Sequence, residues 1–203
     1  MFSRARTSRS GEASALERLA ALEAENASLR AQLVEAEAAA DRDTLTSALN
    51  RRGFMRELHR TMSIVERYKR PAAVLYLDLD GFKAINDRYG HAAGDAVLRG
   101  VARRLADHVR ESDIVGRLGG DEFGVILNEV TPEEAARKVE ALAIVIDSGA
   151  FAFQEITHRV RGSIGLHIMR SVEDPEVALA RADEAMYAEK HARRIMAQAF
   201  EAF

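Results

Sequence analysis

Apolar positions along this 203-residue chain follow two different periods. Ala15, Leu19, Leu22, Asn26, Leu29, Leu33, Ala36 and Ala40 alternate spacings of four and three, which is a heptad seam. A stripe that narrow buries little by itself, so it predicts a helix paired with a second one. Asn26 falls at an a position, where a buried amide favours a parallel two-stranded register. The alternative is a solvated helix lying on its own domain. Ahead of the seam, residues 1–11 carry Arg4, Arg6 and Arg9 among serines, and a disordered basic arm is expected there. The expected organisation is that arm, a coiled-coil dimerisation helix over 12–42, a globular domain over 43–196 and a tail over 197–203.

Within the globular part the period changes repeatedly. Residues 41–50 break the heptad. Arg51 to Tyr68 reads as an amphipathic helix with Phe54, Leu58, Met62 and Val65 on one face. Ala72 to Leu79 reads as a buried strand ending in Asp78-Leu79-Asp80, and the period of two sets both aspartates on one side. Asp80 is a candidate cap for a short helix, Phe82 to Arg88. A helix follows Gly90–Asp95 and runs to about Val109, with Val97, Leu98, Val101 and Leu105 inward. Strands are expected at 113–118 and 123–127, joined by a tight hairpin in which Gly119 and Gly120 supply positive φ. Thr131-Pro132-Glu133-Glu134 is a strong helix start. Two more strands are expected at 150–155 and 158–169, then a last helix from Asp174-Pro175 to about Arg194. This order is α+β, and the ferredoxin-like βαββαβ core is its simplest form.

Composition narrows the chemistry. A net charge of −3 argues against a general nucleic-acid binder. No run approaches the ~18 apolar residues of a membrane span, and no secretory signal pattern is present, so a cytoplasmic protein is expected. Without cysteine, and with six scattered histidines, any metal must be held by oxygen, which points to Mg²⁺ or Mn²⁺. Asp121 and Glu122 place adjacent carboxylates at the hairpin tip. Neighbouring strands lie ~5 Å apart, so Asp78 and this pair can converge on one pocket. A divalent cation would offset their repulsion. The plainer alternative is a solvated acidic hairpin.

The motifs, taken together, resemble the GGDEF family of diguanylate cyclases over about Asp43 to Arg194. They are Asp43-x-Leu45-Thr46, Asn50-Arg51-Arg52-x-Phe54, and Asp78-x-Asp80-x-Phe82-Lys83-x-x-Asn86-Asp87-x-x-Gly90-His91-x-x-Gly94-Asp95. Gly119-Gly120-Asp121-Glu122-Phe123, Ser163-Ile164-Gly165 and Ala182-Asp183-x-Ala185-x-Tyr187-x-x-Lys190 complete the set. The resemblance implies a fold of the nucleotidyl-cyclase and polymerase-palm type, and a reaction in which two GTP condense into cyclic di-GMP with release of two pyrophosphates. It further implies that Asp78, Asp121, Glu122 and the Leu79 backbone carbonyl hold the metal. Asp121 is either a ligand or the group that activates the 3′-hydroxyl. Gly119 and Gly120 would let backbone approach phosphate, Asn86 and Asp95 would read guanine, and Lys83, Lys190 and Arg194 would neutralise the triphosphate. For Asp95 a helix N-cap is the competing role. Arg110-Glu111-Ser112-Asp113 matches the family's Arg-x-x-Asp inhibitory site, where cyclic di-GMP would bind as product; a surface ion pair is the alternative.

Each domain would hold one GTP, so a homodimer through the coil explains why the seam and the motifs share one chain. Two departures stand out. Ser47-Ala48 replaces the usual Gly-Leu, and Arg193 and Ile195 flank Arg194 where Gly and Asn are expected. Two other readings compete: a non-catalytic cyclic di-GMP receptor using Arg110 and Asp113, and a coiled-coil scaffold.

Overall fold

The computed structural model describes residues 4–171 and 173–201, which divide into two units at Ala40/Asp41. The first is one helix, α1 (Arg4–Ala40). Its backbone is helical from Arg4, so residues 4–11, expected to be disordered, continue the helix instead. That stretch contains no proline and only one glycine, so nothing in it breaks a helix outright. Leu19, Leu22, Leu29 and Leu33 are all more than half exposed on this unit. The Ala15 side chain, first in the seam, lies outside the described residues.

The second unit carries β1 (Leu49–Asn50), α2 (Arg51–Tyr68), β2 (Ala72–Asp80), α3 (Phe82–Tyr89), α4 (His91–Asp107), β3 (Ile114–Arg117) and β4 (Glu122–Leu127). Then follow α5 (Pro132–Asp147), β5 (Phe151–Phe153), β6 (Ile156–His158), β7 (Arg161–Met169) and α6 (Pro175–Glu201). The main sheet has the order β1-β3-β4-β2-β7. All its pairs are antiparallel except β1 with β3. Four of these strands, with α4 between the first two and α5 between the last two, form the ferredoxin-like βαββαβ core, and β1 is added at the edge.

Helices cover both faces, which is why β2 reads as an almost unbroken apolar run. Leu75, Leu77, Leu79, Phe123 and Val125 pack with Val97, Val101 and Leu105 of α4 and Leu142 and Ile146 of α5. On the opposite face Val74, Tyr76 and Ile126 pack with Phe54, Leu58 and Met62 of α2 and Leu179, Ala182 and Met186 of α6. The helix starts follow ordinary capping chemistry. Asn50 accepts from Gly53 N at the start of α2, and Thr131 with Glu134 forms a complete capping box on α5.

Two expectations fail here. The segment expected as one strand at 150–155 is half of a separate hairpin, in which β5 turns back into β6. The expected tail begins inside α6, whose backbone runs on to Glu201.

Candidate functional site

Asp78 stands opposite Glu122 on β4 and opposite Ser163 on β7. Opposed residues of antiparallel strands project to the same face, so these three form a row across the centre of the sheet. Asp80 lies on that face too, and accepts a hydrogen bond from the buried Ser163 hydroxyl at 2.9 Å. It does not cap α3, which starts from the left-handed Gly81 with no side-chain cap. From α6, the Lys190 ammonium pairs with Asp78 and lies 3.4 Å from Asp80. Burial alone would depress Lys190, but its bond to Asp78 and the two carboxylate charges hold it above its ordinary value.

The hairpin reaches the same row. Leu118 N and Gly119 N donate to the Glu122 carbonyl at 2.8 and 3.4 Å. Arg117 donates to the Gly120 carbonyl at 2.7 Å and pairs with Asp43 at 3.2 Å. Neither hairpin glycine has positive φ, contrary to expectation. What Gly119 supplies is room, since a Cβ there would sit 2.1 Å from Glu122 Oε2. The buried Tyr76 hydroxyl faces Glu122, and its pKa is pushed up by burial and by the Glu122 and Asp183 charges. The Asp121 carbonyl accepts from Leu79 N at 3.2 Å, which ties the hairpin to β2. The Asp121 carboxyl is raised by burial and then by the charge of Asp78.

The three acids therefore share one neighbourhood, but they do not form a ready-made metal cage. Among the described residues no three acidic or histidine side chains converge closely enough to hold an ion. Lys190 seats a cation on Asp78 and offsets part of the repulsion among them. The donor set is all oxygen, the ligand type that a hard divalent ion takes.

On the far side of β2, α3 and α4 present the other expected residues. Asn86 packs against Gly94, where a Cβ would lie 2.0 Å from its side-chain oxygen. Asp95 sits within α4, past the N-cap Gly90, so it caps nothing. Both are half-buried, and Lys83 is exposed. Arg194 is exposed one turn beyond Lys190. Its neighbour Arg193 donates to the Gly162 carbonyl at 3.2 Å and pairs with Glu189, so this departure from the family pattern pins α6 to β7.

Arg110 and Asp113 form a turn away from the acidic row. Asp113 accepts from Arg110 N at 2.9 Å and from Asn128 N at 3.1 Å, leaving the Arg110 side chain exposed. Clefts of about 740 and 630 Å³ border Arg110, whereas Asp78, Asp80 and Lys190 of the acidic row form a partly exposed shelf. Arg117, Tyr76 and the Ser163–Asp80 pair were not assigned roles from the sequence. Each works through a contact between distant segments that spacing does not reveal.

The family model described as diguanylate cyclase, GGDEF domain, matches residues 40–195. The chain belongs to the GGDEF diguanylate cyclase family. Diguanylate cyclase TpbB of Pseudomonas aeruginosa is 38% identical over 86% of this chain and 39% of its own length. Probable diguanylate cyclase DgcE of Escherichia coli is 36% identical over 76% of this chain and 14% of its own. The chain thus spans well under half of these relatives. Among solved structures, the coiled coil and GGDEF domain of Caulobacter crescentus DgcB, in complex with c-di-GMP, superposes with a TM-score of 0.76. It is 29% identical and covers 88% of this chain and 95% of that one. The GGDEF domain here keeps both hairpin acids in place. Among the described residues no helix is long and apolar enough to cross a membrane.

Proposed function

We propose that this protein is a diguanylate cyclase that condenses two GTP into cyclic di-GMP and two pyrophosphates in the cytoplasm. The observation that carries this reading is the row Glu122–Asp78–Ser163 with Lys190 laid on it. What supports the reading is that carboxylates and a cation share one face, with Gly119 N bonded to the Glu122 carbonyl beside them.

Asp78, Glu122 and the Leu79 carbonyl, with Asp121 as a further candidate, would hold Mg²⁺ or Mn²⁺ there. Such an ion supplies charge stabilisation for the phosphoryl oxygens. The rest falls to the chain. Asn86 and Asp95 read the guanine edge: the Asp95 carboxylate accepts from guanine N1–H and the N2 amine, donors that adenine lacks at those positions, so ATP is rejected. Lys190, with Lys83 and Arg194, balances the triphosphate charge. The 3′-oxygen of one GTP bonds to the α-phosphorus of the other as the bond to the β-phosphate oxygen breaks and pyrophosphate leaves. The 3′-hydroxyl proton passes to a carboxylate of the Asp121–Glu122 pair. Repeating the step with the roles exchanged closes the ring.

One domain holds one GTP, so two must meet. The exposed leucine stripe of α1 supplies a seam for a parallel homodimer, which raises the effective concentration of the second half-site to about millimolar. Arg110, with its exposed side chain, and Asp113 form a product-binding inhibitory site. The experiment is direct: purified protein incubated with GTP and Mg²⁺, with the nucleotides resolved by chromatography. Cyclic di-GMP from GTP and no turnover of ATP is the expected result. Bound cyclic di-GMP without turnover would mark a receptor, and neither would mark a scaffold.

A further inference from the structure

Lys190 has two carboxylate partners, and only one of them belongs to the candidate metal set. Its ammonium pairs with Asp78 and lies 3.4 Å from Asp80. Asp80 is itself held, because the Ser163 hydroxyl donates to its other oxygen at 2.9 Å and Ser163 is fully buried in the sheet. Asp78 and Asp80 are two residues apart on one strand, so their side chains project from the same face with Cα atoms roughly 7 Å apart, and the one ammonium reaches both. A Lys side chain spans between them by turning its last bonds, without any movement of α6.

Building on the proposed function, we propose that Asp80, fixed by Ser163, is a positioning residue that gives Lys190 a second seat. When a divalent ion claims Asp78, Lys190 transfers to Asp80 and stays on the shelf, aimed at the phosphates. Without that seat Lys190 has two poorer choices. It competes with the ion for Asp78, or it swings into solvent and loses its place near the nucleotide. Asp80 then acts on metal and substrate only through Lys190.

The test uses Ser163→Ala, which changes no charge, alone and combined with Lys190→Met. Mn²⁺ binding to the nucleotide-free full chain is followed by electron paramagnetic resonance. Lys190→Met should tighten Mn²⁺ binding about tenfold, since a competing cation is gone. Ser163→Ala should weaken it severalfold in the wild-type background and change it less than about twofold when Lys190 is Met. Asp80→Asn, whose partly exposed site leaves folding intact, should raise the KM for GTP about tenfold with kcat within about threefold. That rise should disappear in the Lys190→Met background. Equal effects of Ser163→Ala with and without Lys190 would overturn the inference, as would no effect of Ser163→Ala in either. The Mn²⁺ titration needs no turnover, so it separates the two claims. A wild-type protein that makes no cyclic di-GMP removes the cyclase reading alone, whereas an active one with Lys190-independent effects removes this inference alone.

Discussion

Asn86 and Gly94 fit each other as side chain to gap: the Asn86 side-chain oxygen occupies a position only 2.0 Å from where a Cβ on Gly94 would lie. Phe82 closes the same gap at 3.0 Å. The two residues that follow this contact outward, Asn86 and Asp95, are those proposed to read guanine. In that proposal the glycine would belong to the base site through its missing side chain.

Gly94→Ala should therefore turn Asn86 out of place while leaving the fold intact, because the clash is with the end of a flexible side chain. The KM for GTP should rise about tenfold, worth ~1.4 kcal/mol of lost recognition, with little change in melting temperature. Steady-state kinetics beside a thermal melt reads both.

Asp121 gives the site a pH signature. Its folded pKa is raised above the ordinary 3.8 by burial and then by Asp78. The folded state therefore binds this proton more tightly than the unfolded state does. That contribution to stability is complete below pH ~4 and is lost as pH rises through the folded pKa. At pH 7 the ionised side chain is a cost. Asp121→Asn should accordingly raise the melting temperature at pH 7, and the gain should shrink towards zero as pH falls to about 4. Melts across that range measure it.

Ser47 is the one departure from the family pattern that carries visible strain. It has a φ of 61°, a left-handed conformation that glycine adopts freely and other residues adopt at a cost of roughly 1 kcal/mol. Its carbonyl accepts from Arg42 at 2.7 Å, which offsets part of that cost. Ser47→Gly should stabilise the globular unit by ~0.5–1 kcal/mol, read by chemical denaturation.

The coil makes a separate prediction. Leu22→Asp with Leu29→Asp puts charges into the exposed apolar stripe and should leave the protein monomeric in analytical ultracentrifugation. Activity per subunit should then fall steeply with dilution at nanomolar enzyme, while wild type keeps its specific activity.

Much of this was legible in the chain. β2 announced itself because a strand covered on both faces is apolar throughout, and the capping box at Thr131 was written in four adjacent residues. What stayed hidden depends on contacts far apart in sequence or on turns without their usual residues. The β5–β6 hairpin turns at Gln154-Glu155, with Gln154 at φ 53°, where Asn-Gly or Asp-Gly would have signalled it. Asp95 looked like a cap because nothing local shows that α4 already starts at His91. The Lys190–Asp78 pair joins residues 112 apart, and the Ser163–Asp80 bond joins residues 83 apart. Motif spacing suggests that Asp78 and the hairpin acids meet, but only the tertiary structure shows the lysine paired with Asp78.

Glu122 is the sharpest point of the account, since it faces Asp78 across the strand pair and is wedged beside Gly119. The deciding measurement is the rate of cyclic di-GMP formation by Glu122→Gln at saturating GTP and Mg²⁺, taken beside its melting temperature. A loss of at least about a hundredfold in a protein that melts like wild type is the predicted result. A rate within twofold of wild type would contradict it.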